Sequence, residues 1–114
     1  MRVWIDGSSK GNPGPAKASI VFEDGEKTTK DLGTTTNNRA EYQALILALK
    51  NASKKGIDEL TVLTDSRLIE GHMNKGWKVN ENQDLVNDAR SLVKRFKRCE
   101  ISWIPRDNNK AHID

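Results

Sequence analysis

The sequence predicts an α/β fold in which five strands form one mixed sheet flanked by helices. The first observation is the order of the periodic segments, which follow one another as β-β-β-α-β-α-α-β. The second is the Asp24-Gly25 turn signal, which joins the second and third strands as an antiparallel hairpin. The later strands are separated by helices, as in parallel crossovers. The 114 residues are enough for one domain and too few for two, so we expect a single domain over residues 1–114.

The N-terminal half is predicted to supply three strands and the longest helix. Residues 1–6 carry an apolar Val-Trp-Ile run and form the first strand, and residues 16–23 alternate apolar and polar side chains as the second. The third strand extends to about Leu32 and is polar, which is typical of a strand at the edge of a sheet. Asn37 or Asn38 can cap the helix that follows.

The C-terminal half is predicted to contain two strands and two helices. The shorter helix begins after Ser66, whose hydroxyl can cap it. The longer helix has an apolar stripe at helical spacing. Pro105 closes the last strand because proline cannot donate a backbone hydrogen bond. The predicted bounds are residues 59–64 and 100–105 for the strands, and residues 67–75 and 84–96 for the helices.

Composition and charge narrow the class of protein. The net charge of +3 is compatible with a polyanionic partner. No long apolar run is present in the sequence, so we expect no membrane span. The sequence begins directly with a strand-like pattern, so we expect no signal peptide. Cys99 has no second cysteine to pair with, which fits a reducing cytoplasm. The basic run from Lys94 to Arg98 has two interpretations, a solvated helix end or part of a surface for a polyanion.

Three acidic residues occupy positions that are unusual for a charge. Asp6 and Asp65 each end an apolar strand, and parallel neighbouring strands would bring both carboxylates to one edge of the sheet. Glu41 shares a helix face with Leu45 and Ala48, where an unpaired charge is costly. An alternative is that Glu41 complements the helix dipole. Oxygen ligands alone indicate a hard ion such as Mg²⁺ or Mn²⁺, and a two-ion site suits phosphodiester hydrolysis.

Five motifs together span almost the whole chain. They are DGSSKGNPGPA (6–16), TTTNNRAEYQALILAL (34–49), LTDSRLIEG (63–71), GWKVNENQDL (76–85) and WIPRDNNKAHID (103–114). In this order they resemble ribonuclease H, type 1. Transposases and resolvases share the acids of this superfamily but are not expected to show the glycine-proline loop or the Thr-Asn-Asn helix start.

The resemblance implies a five-stranded mixed sheet with helices on both faces, together with a reaction. The reaction is hydrolysis of the RNA strand of an RNA–DNA hybrid with two Mg²⁺ ions, for which Mn²⁺ can substitute. It leaves 5′-phosphate and 3′-hydroxyl ends. Asp6, Glu41 and Asp65 match the family's first three catalytic, metal-binding carboxylates. We expect a cytoplasmic monomer whose partner is the hybrid rather than a membrane.

The same resemblance implies a set of substrate contacts. Gly11 and Asn12 match the loop that reads RNA 2′-hydroxyls, groups that distinguish RNA from DNA. Thr36 matches a contact to a DNA phosphate at a helix N-terminus. The other positions that match substrate contacts are Asn37, Asn38, Ser66 and Arg67. A glutamine stands in many relatives where this chain has Arg67, which can hold a phosphate or lie on the helix surface.

Two further departures from the family concern the middle and the end of the chain. The family's basic protrusion is absent, so Trp77 and Lys78 remain as the DNA-side contact, with packing as the alternative for Trp77. The fourth acid belongs to an N-x-x-A-D pattern, where counting leads either to His112 or to Asp114. We favour Asp114 because a carboxylate is the expected ligand. The family's C-terminal helix is expected to be absent, which leaves a catalytically weak module that binds the hybrid as the alternative function.

Overall fold

The computed structural model describes residues 1–113, which form five strands and three α-helices. None of these helices combines the length and the apolar character needed to cross a bilayer. Of the strands, β4 has the predicted bounds, whereas the ends of the others differ by a few residues. In chain order the elements are β1 (Arg2–Ser9), β2 (Gly14–Phe22), β3 (Lys27–Thr35), α1 (Asn37–Lys54), β4 (Glu59–Thr64), α2 (Arg67–Asn74), α3 (Gln83–Val93), β5 (Arg98–Trp103) and a 3₁₀ turn (Arg106–Asn108).

The sheet is mixed, as the sequence predicts. Its strand order is β3-β2-β1-β4-β5. The first three strands pair antiparallel, and β1, β4 and β5 pair parallel. The polar β3 lies at one edge, which confirms the interpretation of its composition. This order makes β1 the central strand, with β4 parallel beside it.

The strand β1 is longer than predicted. It continues through Asp6 because β2 pairs with it as far as Ser9 and Ala16. The parallel pairing with β4 stops earlier, at Ile5 and Thr64. The prediction that Asp6 ends its strand is therefore wrong; Asp6 lies where β1 loses only its parallel neighbour. At that point one side of β1 is open to groups from outside the sheet.

Two helix ends also differ from the prediction. The cap of α1 is Thr36, whose Oγ1 accepts a hydrogen bond from the Arg39 amide at 3.2 Å, and not Asn37 or Asn38. The helix α3 ends at Val93, because residues 94–96 form turns whose amides bond to carbonyls three or four residues back. The tighter ending lets β5 begin at Arg98 rather than at residue 100.

The hydrophobic core joins all three helices to one face of the sheet. Val3 and Ile5 of β1 are fully buried in a cluster that also contains Leu45 of α1, Ile69 of α2 and Val86 of α3. The resemblance implied helices on both faces, and residues 1–113 do not show this arrangement.

The opposite face of the sheet is covered at its centre by two cationic side chains. Trp4 alternates with the core residues of β1 and is 5% exposed. The Arg2 guanidinium lies 5.2 Å from the centroid of its ring, and the Lys110 ammonium lies 4.5 Å from it. The contact with Lys110 brings the C-terminal segment back across β1.

Candidate active site

Three carboxylates from separate elements meet at one edge of the sheet. Asp6 lies in β1, Asp65 directly follows β4, and Glu41 lies in the second turn of α1. One carboxylate oxygen of each residue lies within 4.8 Å of the other two. The parallel register explains why Asp6 and Asp65 meet, because Ile5 stands beside Thr64 and the residue that follows each of them is an aspartate. The structure thus brings together the three acids that the sequence singled out.

Gly7 allows Glu41 to approach the strand. A Cβ atom on Gly7 would overlap the backbone carbonyl of Ala40, so any larger residue would push α1 away from β1. Ala40 is fully buried, and Glu41 follows it directly. Close contact between the helix backbone and the strand backbone therefore places the Glu41 carboxylate next to Asp6.

The acid cluster is costly without a cation. Glu41 is 6% exposed and Asp6 is 5% exposed. Burial, followed by repulsion from Asp6 and Asp65, raises the pKa of Glu41 to about 9. Burial is also the main reason that the pKa of Asp6 lies above its ordinary value. In residues 1–113, Glu41 Oε2 is buried and has no hydrogen-bond partner. A buried oxygen without a donor, among other carboxylate oxygens, fits a hard divalent cation.

The C-terminal segment is attached to this cluster by hydrogen bonds that sequence reasoning missed. The side-chain amide of Asn109 donates to the Ile5 carbonyl at 2.9 Å and to Asp65 Oδ2 at 3.1 Å. The Ile113 amide donates to Asp6 Oδ2 at 2.8 Å. Asn109 is buried whereas Asn108 is exposed. The pattern of adjacent asparagines was the available signal, but it did not indicate which asparagine faces inward.

The structure describes one of the two candidates for the fourth ligand position, His112. The Nδ1 atom of His112 lies 3.7 Å from Asp6 Oδ2. Asp114, which the sequence analysis favoured, lies outside the described residues. His112 is therefore the candidate for this position whose surroundings the structure describes.

A cleft of about 110 Å³ opens at the acid cluster. Asp6 and Glu41 line it together with Arg106 and His112. A larger cavity of about 470 Å³ lies between α1 and α3, but its charged lining is mainly basic and Asp88 is its one acid among the described residues. The smaller cleft is the candidate active site because carboxylates that can bind a metal ion line it, although its volume is smaller.

The glycine loop, residues 10–13 between β1 and β2, is hydrogen-bonded to the start of α1. Gly11 adopts a left-handed conformation with φ of 100°, which favours glycine. The Asn37 amide donates to Asn12 Oδ1 at 2.9 Å, and Asn37 Oδ1 accepts from the Ser9 amide at 3.3 Å. Asn37 also lines the acid cleft. Four of the predicted contacts therefore lie in one surface beside the carboxylates, namely Gly11, Asn12, Thr36 and Asn37.

Two further predicted contacts lie on a neighbouring surface. Asn38 and Lys78 line a cavity of about 300 Å³. The same surface is braced by Arg39, whose guanidinium holds both carboxylate oxygens of Asp84 at 3.1 and 2.9 Å. No local sequence pattern indicates this pair, because its two residues lie 45 positions apart.

Trp77 combines the two roles that the sequence left open. A Cβ atom on Gly71 would overlap its indole ring, so one face of Trp77 packs against α2. The residue is nevertheless 45% exposed. The packed face fixes the ring, and the exposed part is available for contact with a partner.

Ser66 and Arg67 have local partners in the structure. Ser66 caps α2 by accepting from the Ile69 amide at 3.1 Å. The Arg67 guanidinium lies 3.5 Å from the centroid of the Trp103 ring, and Trp103 Nε1 donates to the Asp65 carbonyl at 3.1 Å. The contact with the Trp103 ring restricts the Arg67 side chain.

Comparisons with known proteins agree with this architecture. A family model described as reverse transcriptase-like matches residues 5–113. A bifunctional protein of Mycobacterium tuberculosis is 39% identical over an alignment of 120 positions, and the match covers 96% of this chain and 33% of that protein. The chain thus spans about a third of the length of that relative.

Solved structures give similar results over a larger share of the relative. RNase H1 of the archaeon Halobacterium salinarum is 35% identical with a TM-score of 0.88, and the match covers 96% of this chain and 89% of that one. LC11-RNase H1, isolated from compost and solved in complex with an RNA/DNA hybrid, is 33% identical with a TM-score of 0.86. That match covers 96% of this chain and 88% of that one.

Proposed function

The chain belongs to the type 1 ribonuclease H family, and we propose that it hydrolyses the RNA strand of RNA–DNA hybrids. One observation carries the proposal: Asp6, Glu41 and Asp65 hold carboxylate oxygens within 4.8 Å of one another, and Asp6 and Glu41 line a cleft. The relative that was solved with an RNA/DNA hybrid supports this substrate class. The reaction adds water across the phosphodiester, breaks the bond from phosphorus to the 3′ oxygen, and leaves 5′-phosphate and 3′-hydroxyl ends.

The cofactor in this proposal is Mg²⁺, as two ions that Mn²⁺ can replace. Asp6, Glu41 and Asp65 would hold them, since hard divalent ions prefer carboxylate oxygens. When bound, such ions supply an activated water and stabilise the charge on the leaving oxygen. The prediction that Asp114 adds a fourth carboxylate stays a prediction, because that residue lies outside the described range.

The protein's own groups fix the carboxylates in place. The Ile113 amide orients Asp6 through Oδ2, and the Asn109 amide orients Asp65 in the same way. Gly7 keeps Glu41 against the strand. Preorganised oxygens of this kind need little rearrangement during the reaction, which is a major source of catalytic power.

The substrate surface in this proposal extends from the glycine loop to α2. Gly11 and Asn12 present backbone and amide groups that can both donate to and accept from a 2′-hydroxyl. Thr36 lies at the N-terminus of α1, where the positive end of the helix dipole suits a phosphate. Lys78 and the exposed part of Trp77 suit the DNA strand. Contacts with backbone phosphates release counterions, so the affinity for the hybrid should fall as the salt concentration rises.

A cleavage assay tests this function. A hybrid labelled on either strand is incubated with the chain and Mg²⁺, Mn²⁺ or a chelator, beside the Asp6→Asn variant. Asp58→Asn is the matched control, since it removes an exposed carboxylate from a loop. We expect metal-dependent cuts in the RNA strand by the wild-type chain and by Asp58→Asn only. Tight hybrid binding by folded wild-type protein without cleavage would support the binding-module alternative instead.

The predicted monomeric state and cytoplasmic location stay predictions. Light scattering of the purified chain, with and without hybrid, measures the first. Fractionation of the native host measures the second.

A further inference from the structure

We propose that His112 supplies a nitrogen ligand at the Asp6 side of the cation site and thereby shifts the preference of the site from Mg²⁺ toward Mn²⁺. The inference rests on the proposed function, because it concerns the ions that the carboxylates would hold. In this proposal the fourth ligand is the imidazole of His112 and not the carboxylate of Asp114.

The distance between the two donor atoms suits a shared ion. His112 Nδ1 lies 3.7 Å from Asp6 Oδ2. For an octahedral ion with bonds of about 2.1 Å, adjacent ligand atoms stand about 3 Å apart and opposite ones about 4.2 Å apart. The observed separation falls between these limits, so a small movement of the ring is enough for both atoms to reach one ion.

The backbone on each side of His112 is anchored. Ala111 is 1% exposed, and its amide donates to Asn109 Oδ1 at 3.0 Å. Ile113 donates to the same carboxylate oxygen that His112 faces. The imidazole itself is 35% exposed and lines the acid cleft, so it lies outside the core and beside the acids. The anchored flanks therefore hold the ring at the cleft.

The lining of the cleft makes His112 the natural nitrogen donor. Arg106 also lines the cleft, but a guanidinium has no lone pair to offer a metal. Asp6, Glu41 and Asp65 provide oxygen only. The site that results has mixed oxygen and nitrogen donors on the Asp6 side and oxygen donors elsewhere.

The donor set has a consequence for metal choice. Mg²⁺ prefers oxygen ligands in near-ideal octahedral geometry and keeps several waters. An imidazole nitrogen strengthens binding of transition ions relative to Mg²⁺. The chain should therefore prefer Mn²⁺ more strongly than a variant in which position 112 carries a carboxylate.

The test compares His112→Ala, His112→Asp and Asp114→Asn with the wild-type chain. Calorimetric titrations with Mn²⁺ and with Mg²⁺ give the two affinities of each protein. Pulsed electron paramagnetic resonance of the Mn²⁺ complex detects coupling to an imidazole ¹⁴N. The chain has two histidines, and His72 is buried against Tyr42, so a signal from His72 would persist in His112→Ala. Melting curves confirm that each variant is folded.

We expect ¹⁴N coupling in wild type and Asp114→Asn, and none in either His112 variant. His112→Ala should weaken Mn²⁺ binding by about tenfold or more, because even groups that only orient a ligand contribute 10- to 100-fold. His112→Asp should lower the Mn²⁺-to-Mg²⁺ affinity ratio. Unchanged Mn²⁺ affinity in His112→Ala, or a large loss in Asp114→Asn alone, would overturn the inference and leave the proposed function intact. If neither ion binds the wild-type chain, the proposed function fails first.

Discussion

Glu41 and Tyr42 are adjacent on α1, both are buried, and their polar groups have opposite surroundings. Tyr42 is fully buried, and its hydroxyl lies 2.6 Å from His72 Nδ1. Glu41 Oε2 has no hydrogen-bond partner in the described residues and faces two other acids. One helix thus carries a satisfied polar pair on one side and an unsatisfied cluster beside it.

The protonation of the two groups follows from these surroundings. Burial raises the pKa of Tyr42 to about 12, and burial together with Arg90 lowers the pKa of His72. Both therefore stay neutral near neutral pH, and their hydrogen bond costs no buried charge. Burial and repulsion raise the pKa of Glu41 to about 9. A polar group that is satisfied stabilises the fold, whereas a group that is left unsatisfied indicates a ligand that the fold is built to hold.

The largest expected effect comes from breaking the unsatisfied cluster. Asp6→Asn removes the carboxylate that both neighbours share, so hybrid cleavage should fall by about 10³-fold or more, because several kcal/mol of charge stabilisation are lost. The melting temperature of the metal-free protein should not fall, since the substitution also removes repulsion from Glu41 and Asp65. Activity and melting are measured on the same preparation, with Asp58→Asn as control. A folded variant that retains full activity would contradict the assignment of Asp6.

Displacement of Glu41 should have the next largest effect. Gly7→Ala introduces a Cβ atom into the Ala40 carbonyl and moves α1 away from β1. We expect a loss of stability of about 1–3 kcal/mol, as overpacked cores show. Activity should also fall by about 10²-fold, since a displacement of about 1 Å suffices for that. Urea denaturation and initial rates measure the two, with the exposed strand substitution Thr29→Ala as control. Unchanged rates in Gly7→Ala would mean that Glu41 does not need this contact.

The satisfied pair should respond in the opposite way. Tyr42→Phe leaves His72 Nδ1 buried without its hydrogen-bond partner, which should cost about 1–3 kcal/mol of the free energy of unfolding. The cleavage rate of the folded fraction should stay unchanged, because the hydroxyl is bonded to His72, which is not part of the acid cluster. Denaturation and initial rates below the melting transition measure both. A variant with unchanged stability but reduced activity would contradict the claim that Tyr42 stabilises the fold and has no part in the reaction.

The pH dependence of stability gives a smaller and more graded effect. Because the pKa of Glu41 is raised on folding, the folded chain binds that proton more tightly than the unfolded chain. This contribution is complete below the unfolded pKa and is lost as pH rises through the folded one. From about pH 7 to about pH 9 the metal-free protein should lose up to about 1 kcal/mol per pH unit. Glu41→Gln should flatten this slope, and a slope that persists in that variant would assign it to another group.

Periodicity and turn signals predicted most of the fold, because those patterns are local. The Asp24-Gly25 hairpin, the edge position of β3 and the cap at Ser66 are properties of short segments, and the structure has all three. The end of β1 could not be read in this way. Asp6 closes the apolar run, but the strand continues because β2 pairs with it, and that partner lies elsewhere in the sequence.

The candidate site was predictable to the extent that its residues have unusual local contexts. Asp6, Glu41 and Asp65 each stand out against apolar neighbours, so the sequence singled them out. Asn109 and the Ile113 amide act through contacts more than 100 positions away, at Ile5 and Asp6. Such contacts depend on how the C-terminal segment folds back over β1, which no short pattern specifies.

Metal-linked unfolding tests most directly the claim that the unsatisfied cluster is built for a cation. Thermal melts of wild type and Asp6→Asn are recorded at about pH 8 with a chelator and with Mg²⁺ or Mn²⁺ in excess. An ion at 100 times its Kd stabilises the folded state by about 2.7 kcal/mol, so the wild-type melting temperature should rise by roughly 10 °C. Asp6→Asn should show little or no rise. An unchanged wild-type melting temperature, or an equal rise in both proteins, would contradict the account.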